Sequence, residues 1–452
     1  MDGVIELDPS TPWEPPERPP ARRPVSRPVS RPVAAVAVLA AVLALVTVGQ
    51  RPAGYAAAFT IDGSGMVNLL ADDRALYVLR QVNLDESIVD AYRVRDGHPI
   101  WSRRIGRANA LIDAGRGVLL LHVPPPGAAD QAPSIAVALD SGDGHERWRR
   151  AGYAPTFYGA TAAVGVLVVQ PFLPEADTDP SQPAKPSRLD VLDVRSGATV
   201  WSRPTPAGAT QAYLTPHDGS GAEEFSIGEL DPDGTLHVID VRTGRVTRSA
   251  HVPSPGPFQV FDVSGNLMTA TQFGPVGPQG IRVFDLVSGR QLWGRSLSED
   301  SEPYSWCGPA LCSYDGTRTV VVEPRTGEEL WHTASSVHWS PLDAMHMLTV
   351  GGTPFAARDW PTSGAVNDPR TGAVVRDLHT WQVNGIRGWP ALVVLGRDGP
   401  DGALVGLMDA TTGHTTVFGR LGRQYSAPSC GLVGDLFLCE AGTELSAFRI
   451  PA

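Results

Sequence analysis

The chain has 452 residues and a formal net charge of −11, from 37 basic and 48 acidic side chains. An acidic body argues against a nucleic acid partner, whose phosphates need a basic patch. With 48 Gly and 41 Pro, the composition suits many short strands and turns and argues against stacked helical repeats.

The first 32 residues are rich in Pro and Arg, have no apolar period and include the low-complexity string RPVSRPVSRP. They read as a disordered tail. Val33 to Gly49 then form an apolar run of 17 residues, at the short end of what crosses a bilayer. Arg22, Arg23, Arg27 and Arg31 precede it and Arg51 follows. Cationic flanks stay in the cytoplasm, so the run is expected to be a transmembrane signal anchor. The N-terminus is then cytoplasmic and everything beyond is extracytoplasmic, on a single-pass protein of the cell membrane. The competing reading is a cleaved signal peptide, with Ala56, Ala57 and Ala58 as nearby small residues; the polar lead is long for that.

Beyond residue 90 one short phrase returns eight times: YRVRDGHPIW, VALDSGDGHERW, LDVRSGATVW, IDVRTGRVTR, FDLVSGRQLW, VEPRTGEELW, NDPRTGAVVR and MDATTGHTTV. Its glycines are Gly97, Gly144, Gly197, Gly244, Gly289, Gly327, Gly372 and Gly413, at spacings of 47, 53, 47, 45, 38, 45 and 41 residues. An acid stands four residues ahead in seven copies (Asp140, Asp193, Asp240, Asp285, Glu323, Asp368 and Asp409), and Arg93 stands there in the first. An Asp opening a turn accepts bonds from backbone N–H groups just beyond it, and the Gly takes the left-handed position that closes the hairpin. Trp101, Trp148, Trp201, Trp293 and Trp331 follow their glycines at one offset; Arg248, Arg376 and Val417 replace the Trp elsewhere. A Trp carries about 150–250 Å² of surface, enough to pack one unit on the next. Before the turns the pattern alternates, as Ile281 and Val283 flank Arg282, which marks a strand. A further apolar run lies upstream in each unit, for example residues 75–79, 117–121, 165–169 and 391–395. About 45 residues leaves room for four antiparallel strands, the content of a β-propeller blade.

The phrase Asp-x-x-(Thr/Ser)-Gly-x-x-x-Trp, as in DVRSGATVW and DLVSGRQLW, resembles the tryptophan-docking motif of the PQQ-like propeller repeats. That superfamily includes quinoprotein dehydrogenases and an outer-membrane assembly lipoprotein. The resemblance covers roughly residues 55–452 and implies an all-β propeller of eight four-stranded blades. After the eighth phrase, Leu436-Phe437-Leu438 and Leu445-Ser446-Ala447-Phe448 form one more strand pair. It is expected to join a strand near Ala56–Thr60 and close the ring, so a literal count permits nine. Dehydrogenases of the superfamily stack the cofactor on a vicinal disulfide and hold calcium with acidic residues. No adjacent Cys-Cys occurs here, and the docking repeat is structural in that family. No cofactor, metal or catalytic residue is therefore expected, and PQQ and calcium enter only under the alternative of a quinoprotein dehydrogenase.

The four cysteines fall as two local pairs, Cys307 with Cys312 and Cys430 with Cys439. Each pair spans a turn just ahead of an outer strand of its repeat. Without a CxxC or histidines at ligand spacing, disulfides are expected over a metal site, which agrees with export. The strings at Asp140–Gly144 and Asp231–Gly234 lack the closing Glu of an EF-hand and read as turn chemistry. His98, His145 and His414 each follow a repeat glycine and read as surface residues. The longest insertions, 173–188, 273–280 and 396–402, should share one face, opposite the Gly turns and the cysteine-spanned turns. Loops on a rigid scaffold are where recognition resides. The expected function is a non-catalytic scaffold or sensor for an extracytoplasmic protein or ligand.

Overall fold

The computed structural model describes residues 55–450 apart from connecting segments, the longest being 124–133, 170–186, 215–225 and 352–363. The tail 1–32 and the apolar run 33–49 lie outside the described residues, and among the described residues no helix is long and apolar enough to cross a membrane.

Nine four-stranded antiparallel sheets follow one another along the described chain. Sheets 1 to 8 span residues 66–106, 110–153, 158–205, 210–251, 260–296, 305–332, 337–377 and 381–420. Sheet 9 takes three strands from the C-terminal end, Cys430–Val433, Leu436–Ala441 and Glu444–Arg449, and its outermost strand, Phe59–Asp62, from near the other end. The two ends zip together in register from Phe59 opposite Ala447 to Asp62 opposite Glu444. The expected eight blades are thus corrected to nine among the described residues. The strand pair after the eighth phrase makes a full sheet by borrowing the strand near residue 60.

The first strands of neighbouring sheets approach one another. Met66–Ala71 of sheet 1 meets both Ala110–Asp113 of sheet 2 and Cys430–Val433 of sheet 9. First strands therefore ring the axis and fourth strands lie outermost. Burial follows from this placement. The second strand of sheet 2, Val118–Val123, is buried at every position, while the fourth strand of sheet 3, Thr199–Thr205, alternates between exposed and half-buried before a buried end. A strand covered on both faces reads as an unbroken apolar run. Sheet 1 shows both coverings. Ala75, Tyr77 and Leu79 pack on Leu119 and Leu121 of sheet 2. Leu76 and Val78 face the other way, onto Leu436, Leu438 and Leu445 of sheet 9. The ring is closed by a hydrophobic seam.

The repeated phrase forms the hairpin between third and fourth strands. All eight glycines have φ between 64° and 73°, and each donates its N–H to the carbonyl four residues back, as Gly289 does to Asp285 at 2.8 Å. The Asp side chain holds the turn from below. Asp285 accepts the N–H groups of Val287 and Ser288 and the Ser288 hydroxyl, and Asp409 accepts the N–H groups of Thr411 and Thr412. In the first copy, where Arg93 replaces the acid, Asp96 accepts the His98 N–H instead.

Each Trp lies over the glycine of the next sheet. A Cβ built on Gly144, Gly197, Gly244, Gly327 or Gly372 would stand 2.6–2.8 Å from the ring of Trp101, Trp148, Trp201, Trp293 or Trp331 respectively. Each indole also donates its N–H to a carbonyl of that next turn. The acceptors are Ser141, Val194, Val241, Pro324 and Pro369, at 2.8–3.0 Å. The five indoles are half-buried rather than fully enclosed.

Glycine at these turns serves two ends, left-handed backbone and room for the indole, and substitution separates them. Gly265→Ala, at φ 58° with no neighbour within 4 Å, should cost only the left-handed strain of about 1–2 kcal/mol. Gly327→Ala carries the same strain and also drives a methyl into Trp293, so it should cost about 1–3 kcal/mol more, as overpacking does. Equal urea midpoints for the two variants would show that the ring above Gly327 gives way freely.

Candidate functional site

Antiparallel order fixes which turns share a face. Connections between first and second strands and between third and fourth strands leave one side of the ring. Connections between second and third strands leave the other. All eight Gly hairpins are of the former kind. The insertions 173–188, 273–280 and 396–402 each join a second to a third strand, in sheets 3, 5 and 8. They issue from the opposite side, but the expectation that they are the longest is corrected: 273–280 holds only the link 274–277, the links 124–133 and 352–363 on the same side are longer, and 215–225 joins a first to a second strand on the side of the Gly hairpins. Residues 173–186, 275–276 and 398–401 of these insertions lie outside the described residues.

Both cysteine pairs are disulfides, Cys307–Cys312 and Cys430–Cys439. They tie first to second strands in sheets 6 and 9: Cys312 lies in Leu311–Tyr314, and Cys430 stands opposite Cys439 in the ladder. The strands that follow are third of four, so the crosslinks sit toward the axis and not beside an outermost strand. Cys307, Cys312 and Cys439 have no exposure, while Cys430 is half-buried.

Three of the four aspartates in the calcium-like strings are occupied by their own turns, and Asp231 instead faces His237 at 3.4 Å. Asp140 accepts the Gly142 N–H and the Arg147 guanidinium, Asp143 the His145 N–H, and Asp233 the Thr235 N–H. Among the described residues no group of three His, Cys, Asp or Glu gathers as a metal set. His98, His145 and His414 are exposed on separate sheets.

One hairpin glycine, Gly289, has a backbone carbonyl and no side chain against it. In sheet 4 the Trp position is Arg248, and its guanidinium donates to the Gly265 carbonyl at 2.9 Å rather than covering Gly289. What lies against Gly289 is the His251 carbonyl, 2.6 Å from an ideal Cβ. The covering residue is thus three positions further along the outer strand than elsewhere. At about 3.3 Å per residue this is a slip of about 10 Å. The outer strand of sheet 4 ends, at His251, level with the turn of sheet 5. The outer half of sheet 5 beyond that turn is left uncovered on this side.

The uncovered surface is a polar cleft of about 430 Å³ with Gln272, Gln279, Gly280, Arg282, Gln291 and Gly294 in its lining. The alternation of the strand explains why these residues face it. Phe284 packs on Leu230 and Leu236 of sheet 4, whereas Ile281 and Val283 pack on Leu311 and Val320 of sheet 6. Arg282 and Gly280 therefore point to the sheet 4 side, with their ladder partners Gly294, Ser296 and Gln272. Arg282 is half-buried. The cleft opens at the end of sheet 5 from which the 273–280 connection leaves. Only that insertion was foreseeable from sequence; the slipped junction depends on which side chain reaches which turn.

No family model and no curated protein matches the chain. Solved structures do. The chain is similar to BamB from Moraxella catarrhalis, at 16% identity over 86% of this chain and 96% of that one, with a TM-score of 0.38. It is similar to the dihydro-heme d1 dehydrogenase NirN, at 14% identity over 83% and 77%, with a TM-score of 0.41. A quinohemoprotein alcohol dehydrogenase from Pseudomonas putida matches at 11% identity over 67% and 72%, with a TM-score of 0.34. The propeller assignment rests on the nine sheets and their docking.

Two predictions follow from the turns and the crosslinks. The Thr243 hydroxyl holds the Asp240 carboxyl below its usual value, as the Ser288 and Thr412 N–H groups do for Asp285 and Asp409. Burial pushes Asp315 up, but the Thr317 hydroxyl and the Arg318 and Thr317 N–H groups outweigh it and hold Asp315 at about 2. A folded value below the unfolded one gives stability that is present above the unfolded value and lost as pH falls through the folded one. Melting temperature should fall steeply from about pH 4 to pH 2. Asp315→Asn should be less stable at pH 7 and draw level near pH 2; a constant gap would show that its hydrogen bonds are already lost at neutral pH. Separately, limited reductant followed by maleimide labelling should open Cys430–Cys439 before Cys307–Cys312, because only Cys430 is reachable by solvent. Labelling in the reverse order would contradict this.

Proposed function

We propose that the chain is a membrane-anchored, extracytoplasmic β-propeller that acts as a non-catalytic scaffold or sensor for a protein or ligand. The observation that supports this reading is the shared origin of 173–188, 273–280 and 396–402, with the longer links 124–133 and 352–363, on one side of the ring. All join second to third strands, so a disulfide-tied ring sends these connections out on one side, and loops on a rigid scaffold are where binding concentrates. The arginines ahead of Val33 and the paired cysteines beyond Gly49 support an N-terminal helix that tethers the ring outside the membrane.

The reading is tested by topology and by capture. Protease added to intact spheroplasts should remove residues 52–452 and spare the N-terminal tail. Shortening the parts of these insertions that lie between the strands, 173–186, 274–277 and 398–401, should leave the melting temperature within a few degrees, because no hairpin phrase or ladder residue lies in them, and should abolish partners crosslinked in the membrane fraction. Protection of the whole chain would place the ring inside. Dye-linked dehydrogenase activity dependent on added PQQ and calcium would make the protein an enzyme.

A further inference from the structure

The cleft on sheet 5 has the properties of a strand-docking site. The fourth strand, Arg290–Ser296, is last in the order of its sheet, so its outer backbone groups have no strand partner and can pair with an added chain. The outer strand of sheet 4, which ends level with the turn, leaves the approach open. The strand carries Arg290 and Arg295 and no acid, with Arg282 beside it. On a chain of net charge −11 this is a local cationic rim. Arg282 and Arg290 have no ion-pair partner among the described residues, whereas the Arg295 guanidinium is committed to the Tyr304 hydroxyl and the Gly327 carbonyl.

Gly294 decides what the cleft can read. It is not among the glycines with positive φ, so the backbone does not require glycine there. Crowding keeps a side chain out: a Cβ at 294 would stand 3.1 Å from Gln291 Nε2, 3.4 Å from the Ile281 carbonyl oxygen and 3.5 Å from Arg282 Cγ. Arg282 and Gly294 are ladder partners. A residue added opposite Gly294 on a fifth strand would lie two strand spacings, about 10 Å, from the Arg282 backbone. Its side chain would fall on the same face as Arg282, beside the Gln291 amide that lies against Gly294. That gap is within the joint reach of an arginine and a glutamate or aspartate, and the guanidinium fork matches a carboxylate. Gln272, Gln279 and Gln291 can bond the neighbouring polar atoms. No aromatic side chain is in the lining, which disfavours a stacked sugar or base.

We propose that the outer edge of sheet 5 takes an extended acidic peptide segment as a fifth strand, with a carboxylate opposite Gly294 held by Arg282. The inference rests on the scaffold reading and specifies the partner's chemistry. It is tested on the full-length protein by fluorescence anisotropy with a labelled octapeptide alternating Thr and Glu, beside its Thr-Gln counterpart. The Glu peptide should bind at least about tenfold more tightly than the Gln peptide. Arg282→Gln should remove that preference with no change in melting temperature. Gly294→Val should weaken both peptides by about tenfold or more, and an unchanged melt would show that the variant still folds. Equal binding of the two peptides, binding of the Glu peptide untouched by Arg282→Gln, or no binding at millimolar peptide would overturn the proposal. So would glutarate competing as well as the peptide does, since that would mark a small-carboxylate site. If the Glu peptide fails while the membrane-fraction partner is still captured, the acidic-strand inference falls alone. Loss of capture in the wild-type protein would instead remove the scaffold reading beneath it.

Discussion

The structure depends on one contact repeated around a ring: a flat side chain on the outer strand of one sheet, laid over the hairpin glycine of the next. A four-stranded sheet of this size cannot bury both faces alone. The contact sets the height and angle at which the next sheet arrives, and thereby decides whether apolar second strands such as Val118–Val123 meet their neighbours. It combines a half-buried aromatic surface with a directed bond, as Trp293 shows above Gly327 with its N–H on the Pro324 carbonyl. Dispersion and burial alone would let sheets slide. The N–H bond, worth only about 1 kcal/mol net, fixes the position.

The exceptions show what the contact requires. Between sheets 9 and 1 its two parts come from different ends of the chain. Phe59 supplies the ring over Gly97, but a phenyl group has no N–H to donate. Arg449, on the adjacent strand, donates to the carbonyls of Val94 and Arg95. At Gly413 the Arg376 guanidinium takes the place of the indole, 2.7 Å from an ideal Cβ and bonded to the Thr411 carbonyl. A planar cation with several donors is an adequate substitute. Val417 covers no glycine because sheet 9 has no hairpin between its third and fourth strands; the chain ends meet there instead. Its loss of Trp is a consequence of how the ring closes.

These cases also mark how far the sequence could be read. The eight phrases, the strands around them and the two disulfides were legible because each is local: turn chemistry and short spacings lie within a few residues. The ninth sheet was half legible. Leu436–Phe448 announced two strands, but the partnership of Phe59 with Arg449 spans 390 residues, and neither residue resembles a Trp. Arg248 and Arg376 look alike in sequence, as basic residues in a Trp position. One caps its glycine and the other does not, a difference that arises only when the sheets are stacked.

That difference gives sheet 5 its open side. At a junction with the usual contact, the neighbour's outer strand covers the face of the next sheet, and a cation facing that side finds a partner or is not tolerated. At the junction of sheets 4 and 5, Arg248 bonds Gly265, the covering strand is spent by His251, and Arg282 faces solvent-filled space beside Gly294. The same replacement that weakens one contact in the ring therefore exposes a sheet edge, with its cation and its missing side chain. The disulfides lie in sheets 6 and 9, so neither bridges this junction. Five indole contacts and the two substitutes at Gly97 and Gly413 can hold a ring in which the junction of sheets 4 and 5 is irregular, and that junction leaves the open cleft.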